Sequence, residues 1–239
     1  MDSSHSKIVP YLRKKGDSRK LFRNVYHIEK DSMLVIDPGQ TRAMVKLSMP
    51  FQLLLRKYKN YLGETILEIG PFFNPLITRA RYHDKKIYYL DKEKHILNQF
   101  SKRGVPATHL ILHDLNRLGR ADYVSLKNKI RKALSSSNSG VDKFDSIIIS
   151  QVFNYIDYKK FLMRMKRLMT KGGLMFLNNV IGIGIRPFYS AKRPKSIKAI
   201  IEAFKEIGYE IVEKRTLNRV SPDYKGMRAQ QLILVARKC

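Results

Sequence analysis

From Thr65 onward, short apolar runs alternate with stretches of helical spacing, and this alternation limits what the chain can fold into. In one stretch, Tyr158–Thr170, the residues Phe161, Leu162, Met165 and Leu168 share one helical face. Strand and helix repeated in this way predict a parallel sheet with helices on both faces. The predicted strands are Thr65–Ile69, Lys86–Leu90, His109–Leu112, Ser146–Ser150 and Leu174–Val180, and the helices between them include Lys92–Arg103, Asp122–Leu134 and Tyr158–Thr170.

The C-terminal part of the chain breaks this rhythm. A helix is predicted at Lys195–Ile207, and Gly208 ends it. Two strands, Tyr209–Leu217 and Gln230–Ala236, then follow with no helix between them, which implies an antiparallel pair at the sheet edge. The predicted fold class is therefore α/β: a doubly wound, mostly parallel seven-stranded sheet with an antiparallel C-terminal strand pair, plus an N-terminal extension.

The first 60 residues differ in pattern from the rest. Met33–Ile36 and Ala43–Leu47 are apolar runs on either side of a turn signal at Asp37-Pro38-Gly39, which suggests a hairpin, and Phe51–Tyr61 is typical of an amphipathic helix. We therefore divide the chain into a basic N-terminal extension, residues 1–60, and a second domain, residues 61–239. The extension is a candidate lid or substrate-recognition element.

The charge is unusual for a chain of 239 residues. The formal net charge is +27, from 47 Lys+Arg and 20 Asp+Glu, and the excess is spread over the whole chain. Such a surface favours an acidic or phosphate-rich partner, RNA among them, although a generally basic, solvated surface gives the same composition. No run reaches the 18 or more apolar residues that a membrane span needs, so no span is expected.

The single cysteine, Cys239, excludes a disulfide framework, a cysteine-ligated zinc site and an internal cysteine nucleophile. It fits a reducing compartment, and we expect a cytoplasmic protein. His83, His95 and His113 have no spacing that suggests a metal site, so no metal is predicted.

Polar residues follow the predicted strands. Gly70, after the first strand, can adopt a positive φ and lets a ligand approach the backbone. Asn74 and Pro75 suit the N-cap and first turn of a helix, whose N-terminus could bind a ligand carboxylate or phosphate. The bland interpretation of Asn74 is a helix cap alone.

The next strands end in acids or amides. Asp91 follows the glycine turn by about 20 residues, the spacing at which a carboxylate accepts hydrogen bonds from ribose hydroxyls. Asp114 could accept a bond from an exocyclic amine or simply start a turn. Ser150 and Gln151 end the fourth strand. Right-handed crossovers bring such strand ends to one crevice.

Five ordered segments, LEIGPFFNP, YYLD, HDL, FDSIIISQVFNYI and KGGLMFLNN, together resemble a class I S-adenosylmethionine-dependent methyltransferase. The resemblance covers about residues 60–237 and includes the terminal strand pair. It implies S-adenosyl-L-methionine as cofactor, with Glu68 and Gly70 near its methionine part and Asp91 at the ribose hydroxyls. It also implies Asp114 near the adenine amino group with Leu115 beside the ring, and the end of the fourth strand where sulfonium and acceptor meet. The predicted cofactor-binding residues are Glu68, Gly70, Asn74, Asp91, Asp114, Leu115, Ser150 and Gln151.

Three functions stay open. The first is methyl transfer, with RNA or another polyanion as acceptor. The second is a non-catalytic, basic nucleic-acid-binding protein on a methyltransferase scaffold, because Phe72 and Phe73 follow a single glycine where the family has two or three. The third is a methyltransferase for a small metabolite or acidic glycan. No catalytic residue is assigned, because methyl transfer asks mainly for alignment.

Overall fold

The computed structural model describes residues 25–28, 32–35, 38–71, 75–116, 119–136, 142–181, 190–220 and 228–239. The strands in these ranges are β1 (Val25–Ile28), β2 (Ser32–Val35), β3 (Thr65–Ile69), β4 (Lys86–Asp91), β5 (Leu110–Leu112), β6 (Phe144–Ser150), β7 (Met169–Ile181), β8 (Tyr209–Val220) and β9 (Arg228–Lys238). The α-helices are α1 (Pro38–Lys57), α2 (Lys94–Lys102), α3 (Arg120–Ser135), α4 (Tyr158–Arg167) and α5 (Ile197–Glu206).

Seven strands form one sheet in the order β5-β4-β3-β6-β7-β9-β8. The strands from β3 to β7 pair in parallel, whereas β9 is antiparallel to both β7 and β8. Within this sheet the chain starts at the central strand β3 and continues outward to β4 and β5. It then returns to β6 beside β3 and continues outward to β7 in the other direction. This confirms the predicted doubly wound sheet with its antiparallel C-terminal pair.

Helices cover both faces of this sheet. On one face, α3, α4 and α5 pack against β3, β6 and β7 in a core that includes Leu126, Phe161 and Phe204. On the other, α1 and α2 pack over the opposite side chains of the same strands, with Phe51 and Phe100 in the core. Every residue of β3 is buried because that strand has a covered face on each side.

The hairpin lies earlier in the chain than the sequence suggested. β1 pairs with β2, and residues 43–47, predicted as a strand, belong to α1, so that prediction is wrong. Pro38 stands at the first position of α1, where its fixed φ and missing N–H are tolerated. Leu47, Phe51 and Leu54 continue at helical spacing, which favours a helix over an alternating strand.

The predicted helix after β3 is also absent. Residues 75–85 form turns rather than a helix, so Pro75 does not begin one, and Asn74 lies outside the described residues. The backbone groups that a helix would use are bonded elsewhere: the Ile77 carbonyl accepts a hydrogen bond from the Tyr89 hydroxyl (2.7 Å). The Ile77 amide is bonded to a buried side chain described below. Residues 75–85 therefore offer no helix N-terminus as a ligand site.

β7 begins at Met169 rather than at Leu174, where the strand was predicted to start, so Lys171, Gly172 and Gly173 lie within the strand. Gly172 has a φ of +75°, and the β6–β7 register shifts between Phe144 and Ser146. Between the pairs that Phe144 and Ser146 form, β6 advances by two residues and β7 by five, so β7 carries three extra residues, and the positive φ of Gly172 lies in this irregular part of the strand.

α1 is an integral part of the layer that covers the sheet. Phe51, Leu54 and Leu55 are at most 1% exposed and contact strand residues such as Ile66 and Ile148 in the same core. A boundary at residue 60 stays a prediction, and this packing joins residues 51–55 to the sheet. Among the described residues, no helix has the length and apolar character to cross a membrane.

Candidate cofactor site

The sheet brings Gly70, Asp91 and Gln151 to its carboxyl-terminal edge, which is the side at which the parallel strands end. The Gly70 amide donates to the Leu90 carbonyl (2.9 Å), which sets Gly70 beside Asp91. The His113 amide donates to the Asp91 carbonyl (3.0 Å), and the Gln151 amide donates to the Asn178 carbonyl (2.7 Å). Residues that lie far apart in sequence therefore follow one another along the edge, as expected for a parallel sheet.

Gly70 is required by its conformation and by its surroundings. Its φ is +63°, which other L-residues rarely adopt, and a Cβ built on it would lie 2.7 Å from a methyl group of Val152. The turn after β3 thus packs directly against the segment that follows β6. This close approach fixes the relative position of the two strand ends.

Glu68 is bonded within the protein. Its carboxylate is 2% exposed, Oε1 accepts a hydrogen bond from the Leu76 amide (2.8 Å), and Oε2 accepts one from the Ile77 amide (3.0 Å). Burial raises the pKa of the Glu68 carboxyl to about 7, although the two amide bonds act in the opposite direction. In this geometry Glu68 holds the chain segment after Gly70 in place, and a direct contact with the cofactor stays a prediction.

Asp91 supplies a buried carboxylate at the end of β4. It is 8% exposed, and its Oδ1 accepts a hydrogen bond from the Glu93 amide (3.0 Å). Burial raises the pKa of the Asp91 carboxyl to about 6, so the group is mainly ionised at neutral pH. A desolvated carboxylate of this kind is a strong acceptor for hydroxyl donors.

The two residues after β5 differ in their surroundings. Asp114 is half-buried, and its Oδ1 accepts a hydrogen bond from the Asn116 amide (2.9 Å), so it does form the turn that the sequence allowed. Leu115 is 7% exposed and packs in the core beneath α3, α4 and α5. The contacts of Asp114 and Leu115 with adenine stay predictions.

Uncharged polar side chains surround the ends of β6 and β7. The Ser150 hydroxyl accepts a hydrogen bond from Asn178 Nδ2 (3.1 Å), and Asn178 Oδ1 accepts one from Gln231 Nε2 (2.7 Å). On the other side of the strand, Asn179 Nδ2 donates to Asn154 Oδ1 (3.3 Å). We call Ser150, Gln151, Asn154, Asn178, Asn179 and Gln231 the amide cluster.

Gln151 is the most constrained member of the amide cluster. It is a non-glycine residue with a positive φ, +62°, and its Oε1 accepts a hydrogen bond from the Val180 amide (3.0 Å). Its Nε2 is buried and has no hydrogen-bond acceptor among the described residues. Strained backbone and a donor without an acceptor are features that concentrate at ligand sites.

Sequence reasoning selected Ser150 and Gln151 but missed the other members of the amide cluster. The available signal was the pair Asn178-Asn179 inside an otherwise apolar strand. Gln231 had no comparable signal, because only the β7–β9 pairing brings it to Asn178. Among the described residues no group of three or more potential metal ligands lies together.

Solved structures show which fold this is. The chain is similar to NodS, an N-methyltransferase from Bradyrhizobium japonicum solved with S-adenosyl-L-homocysteine: identity 15%, TM-score 0.53, covering 84% of this chain and 88% of that one. It is also similar to an S-adenosylmethionine-dependent methyltransferase from Mesorhizobium loti: identity 14%, TM-score 0.52, covering 80% and 97%. A third similar structure is the [4+2]-cyclase SpnF: identity 12%, TM-score 0.54, covering 84% and 95%.

No family model matches the chain, and no curated protein matches it. At such low identities the structural similarity establishes the fold alone, and that fold is the one found in class I methyltransferases.

Proposed function

We propose that this chain, which has the class I methyltransferase fold, is an enzyme that transfers a methyl group from S-adenosyl-L-methionine. The observation that carries the proposal is the buried carboxylate of Asp91 beside the turn at Gly70, at the edge where the parallel strands end. The buried Gln151 Nε2, a donor without an acceptor among the described residues, also fits a polar ligand there. The proposed cofactor-binding residues are Glu68, Gly70, Asn74, Asp91, Asp114, Leu115, Ser150 and Gln151.

The proposed roles follow from position. Asp91 accepts hydrogen bonds from the ribose hydroxyls, and Asp114 accepts one from the adenine amino group. Gly70 lets the backbone approach the methionine part of the cofactor, and Glu68 holds the segment that follows Gly70. Ser150 and Gln151 lie where the acceptor must approach. When bound, the cofactor supplies a methyl group already activated on a sulfonium, so the protein has mainly to align the acceptor.

We further propose that the acceptor is RNA or another polyanion. The net charge of +27 supports this acceptor, because a positive surface concentrates and orients phosphate-rich molecules. The proposal also locates the protein in the cytoplasm, which a single cysteine supports. A small-metabolite or glycan acceptor is the competing version, and the similarity to NodS, an N-methyltransferase, keeps the acceptor class open.

A second candidate function is nucleic-acid binding without methyl transfer. Two observations favour it: residues 75–85 lack the expected helix, and both Glu68 oxygens are bonded to the protein's own backbone. The similarity to a [4+2]-cyclase shows that the fold also occurs in proteins described by other chemistry.

Calorimetric titration with S-adenosylhomocysteine separates these functions. We expect the wild type to bind, and Asp91→Ala to bind roughly 10- to 150-fold more weakly, since a hydrogen bond to a charged group contributes about 1.5–3 kcal/mol. Asp84→Ala is the matched control, because Asp84 is an exposed acid paired with Lys85, before β4. No binding by the wild type, or equal binding by both variants, would sink the cofactor proposal.

A further inference from the structure

A second candidate site lies at the opposite edge of the sheet, where the parallel strands begin. An open cleft of about 430 Å³ lies there between the C-terminal ends of α4 and α5 and the end of β9. Seven residues of β6 separate the two edges, which corresponds to about 20 Å. The cleft is lined by Met163, Lys166, Arg167, Glu206, Ile207 and Lys238.

Basic side chains converge on this cleft. Lys166, Arg167 and Lys238 line it, and Lys143 is close enough for its charge to act on Lys238. Burial, together with the charges of Lys143 and Lys166, lowers the pKa of the Lys238 ammonium. Lys143, Lys166 and Lys238 are all half-buried, so like charges are held together where water screens them less. We call Lys143, Lys166, Arg167 and Lys238 the cation cleft.

Acidic side chains do not balance the cation cleft. Glu206, the acid in its lining, is 3.0 Å from Lys159 and so already forms an ion pair. No ion pair of Arg167 is found among the described residues. An uncompensated group of cations costs folding free energy through self-repulsion, and a bound anion would remove that cost.

Part of the positive charge has a structural role. Lys166 Nζ donates to the carbonyls of Ile207 (2.8 Å) and Gly208 (2.7 Å), and so caps the C-terminal end of α5. Lys238 Nζ donates to the Met169 carbonyl (2.6 Å), which leaves two of its three N–H groups for other acceptors. Helix capping therefore accounts for Lys166 but not for Arg167 or Lys238.

The positive surface continues along α4 toward α3. The Arg164 guanidinium lies 4.6 Å from the centroid of the Tyr123 ring, and Arg167 also acts electrostatically on Tyr123. An arginine held over an aromatic ring keeps its donors directed outward. A chain of phosphates could therefore contact several cations in sequence.

We propose that the cation cleft binds the phosphate backbone of RNA and anchors it away from the edge where methyl transfer would occur. The cleft is open, and its cations continue along α4 through Arg164, so an extended strand of phosphates can lie across several of them. The inference rests on the polyanion part of the proposed function and is independent of methyl transfer.

The test compares two double variants that each remove two positive charges. Arg167→Gln/Lys238→Gln changes the cation cleft, and Arg56→Gln/Lys102→Gln removes exposed cations of α1 and α2 on the other face. The anisotropy of a fluorescein-labelled single-stranded RNA is measured over a series of KCl concentrations. In the cleft variant we expect weaker binding and a plot of log K against log salt that is shallower by about 1.4, since each lost phosphate contact on a single strand contributes about 0.7. The control should match the wild type.

Several results would overturn the inference. They are equal losses in the two variants, no RNA binding by the wild type, or wild-type binding to phosphatidylserine vesicles but not to RNA. If the cleft variant is less well folded by circular dichroism, Arg167→Glu alone repeats the test, since Arg167 is exposed at the end of α4. The titration with S-adenosylhomocysteine is independent of these results: its failure contradicts the cofactor proposal and leaves the RNA result unchanged.

Discussion

Asp91 and Gly70 are neighbours at the carboxyl-terminal edge of the sheet, yet different physical constraints select them. Gly70 is fixed by sterics: its φ is +63°, and the Val152 side chain occupies the space where a Cβ would be. Asp91 is costly to bury and has a raised pKa of about 6. One of its oxygens accepts a hydrogen bond from the Glu93 amide (3.0 Å), and a role in binding the cofactor stays a prediction.

The raised pKa of Asp91 predicts a pH dependence of cofactor binding. Because the ribose hydroxyls need an ionised acceptor, the Kd for S-adenosylhomocysteine should be constant above about pH 6 and rise about tenfold per pH unit below it. Asp91→Asn should bind S-adenosylhomocysteine weakly. Its Kd should change little between pH 5 and pH 8, a range that includes the pKa of about 6 of the wild-type carboxyl. Calorimetry at a series of pH values checks this, and a parallel dependence in the variant would assign the titration to another group.

Gly70 predicts a specific loss of stability. Gly70→Ala should lower the free energy of unfolding by roughly 1–2 kcal/mol for the left-handed backbone, and by more because of the contact with Val152. Gly104→Ala is the matched control, since Gly104 has a φ of +81° but no atom within 4 Å of the built Cβ. Urea denaturation measures both, and equal losses would show that the contact with Val152 adds nothing.

At the scale of elements, the segment after β3 and the helix α1 depart most from expectation. Glu68 bonds two amides of the segment after β3, and Tyr89 bonds its carbonyl, so side chains from the sheet determine its backbone. α1 is continuous through Pro50 and buries one face against the sheet. Both outcomes depend on contacts between residues that are distant in sequence.

The buried carboxyl of Glu68 predicts that the free energy of unfolding falls as pH rises. The folded protein holds this proton up to about pH 7, whereas an unfolded chain releases it near its ordinary pKa of 4.5. Stability is therefore greater below pH 4.5 for this group alone and declines between the two values. Glu68→Gln should reduce the slope in urea denaturation at a series of pH values. An unchanged slope would mean that Glu68 does not retain its proton on folding.

Two neighbouring leucines test whether α1 belongs to the domain. Leu54 is 1% exposed and Leu53 is 55% exposed, so Leu54→Ala should lower the free energy of unfolding by about 2–5 kcal/mol and Leu53→Ala by far less.

A chain that begins at Pro38 should then remain folded, because α1 is kept whole. If that truncated chain binds S-adenosylhomocysteine but loses turnover, the lid role of the removed part gains support.

Over the whole molecule, acidic side chains are far fewer than basic ones, 20 against 47, and several of them bond groups that stabilise the fold. Glu213 alone accepts hydrogen bonds from Lys57, Tyr58 and Arg215. Asp145 bonds the amides of Glu64 and Thr65 at the start of β3. With a net charge of +27, the remaining cations repel one another over most of the surface.

This repulsion predicts that salt stabilises the fold. The melting temperature should rise between low and moderate NaCl, because the Debye length falls to about 10 Å at 0.1 M and screens the surface charges. Arg56→Gln/Lys102→Gln should show a smaller rise, since it removes two charges. A melting temperature that falls with NaCl would mean that ion pairs outweigh the repulsion.

The sequence by itself determined the order of the strands from Thr65 onward and of the helices after β4, because hydrophobic periodicity is a property of residues close together in the chain. It also located Gly70, Asp91, Asp114, Ser150 and Gln151 at strand ends, and the α/β pattern implied that those ends meet. Only the tertiary structure decided that residues 75–85 form turns and that Asn178 meets Gln231. Those outcomes depend on hydrogen bonds between separate strands and segments, such as Gln231 to Asn178 at 2.7 Å, and no local pattern encodes them.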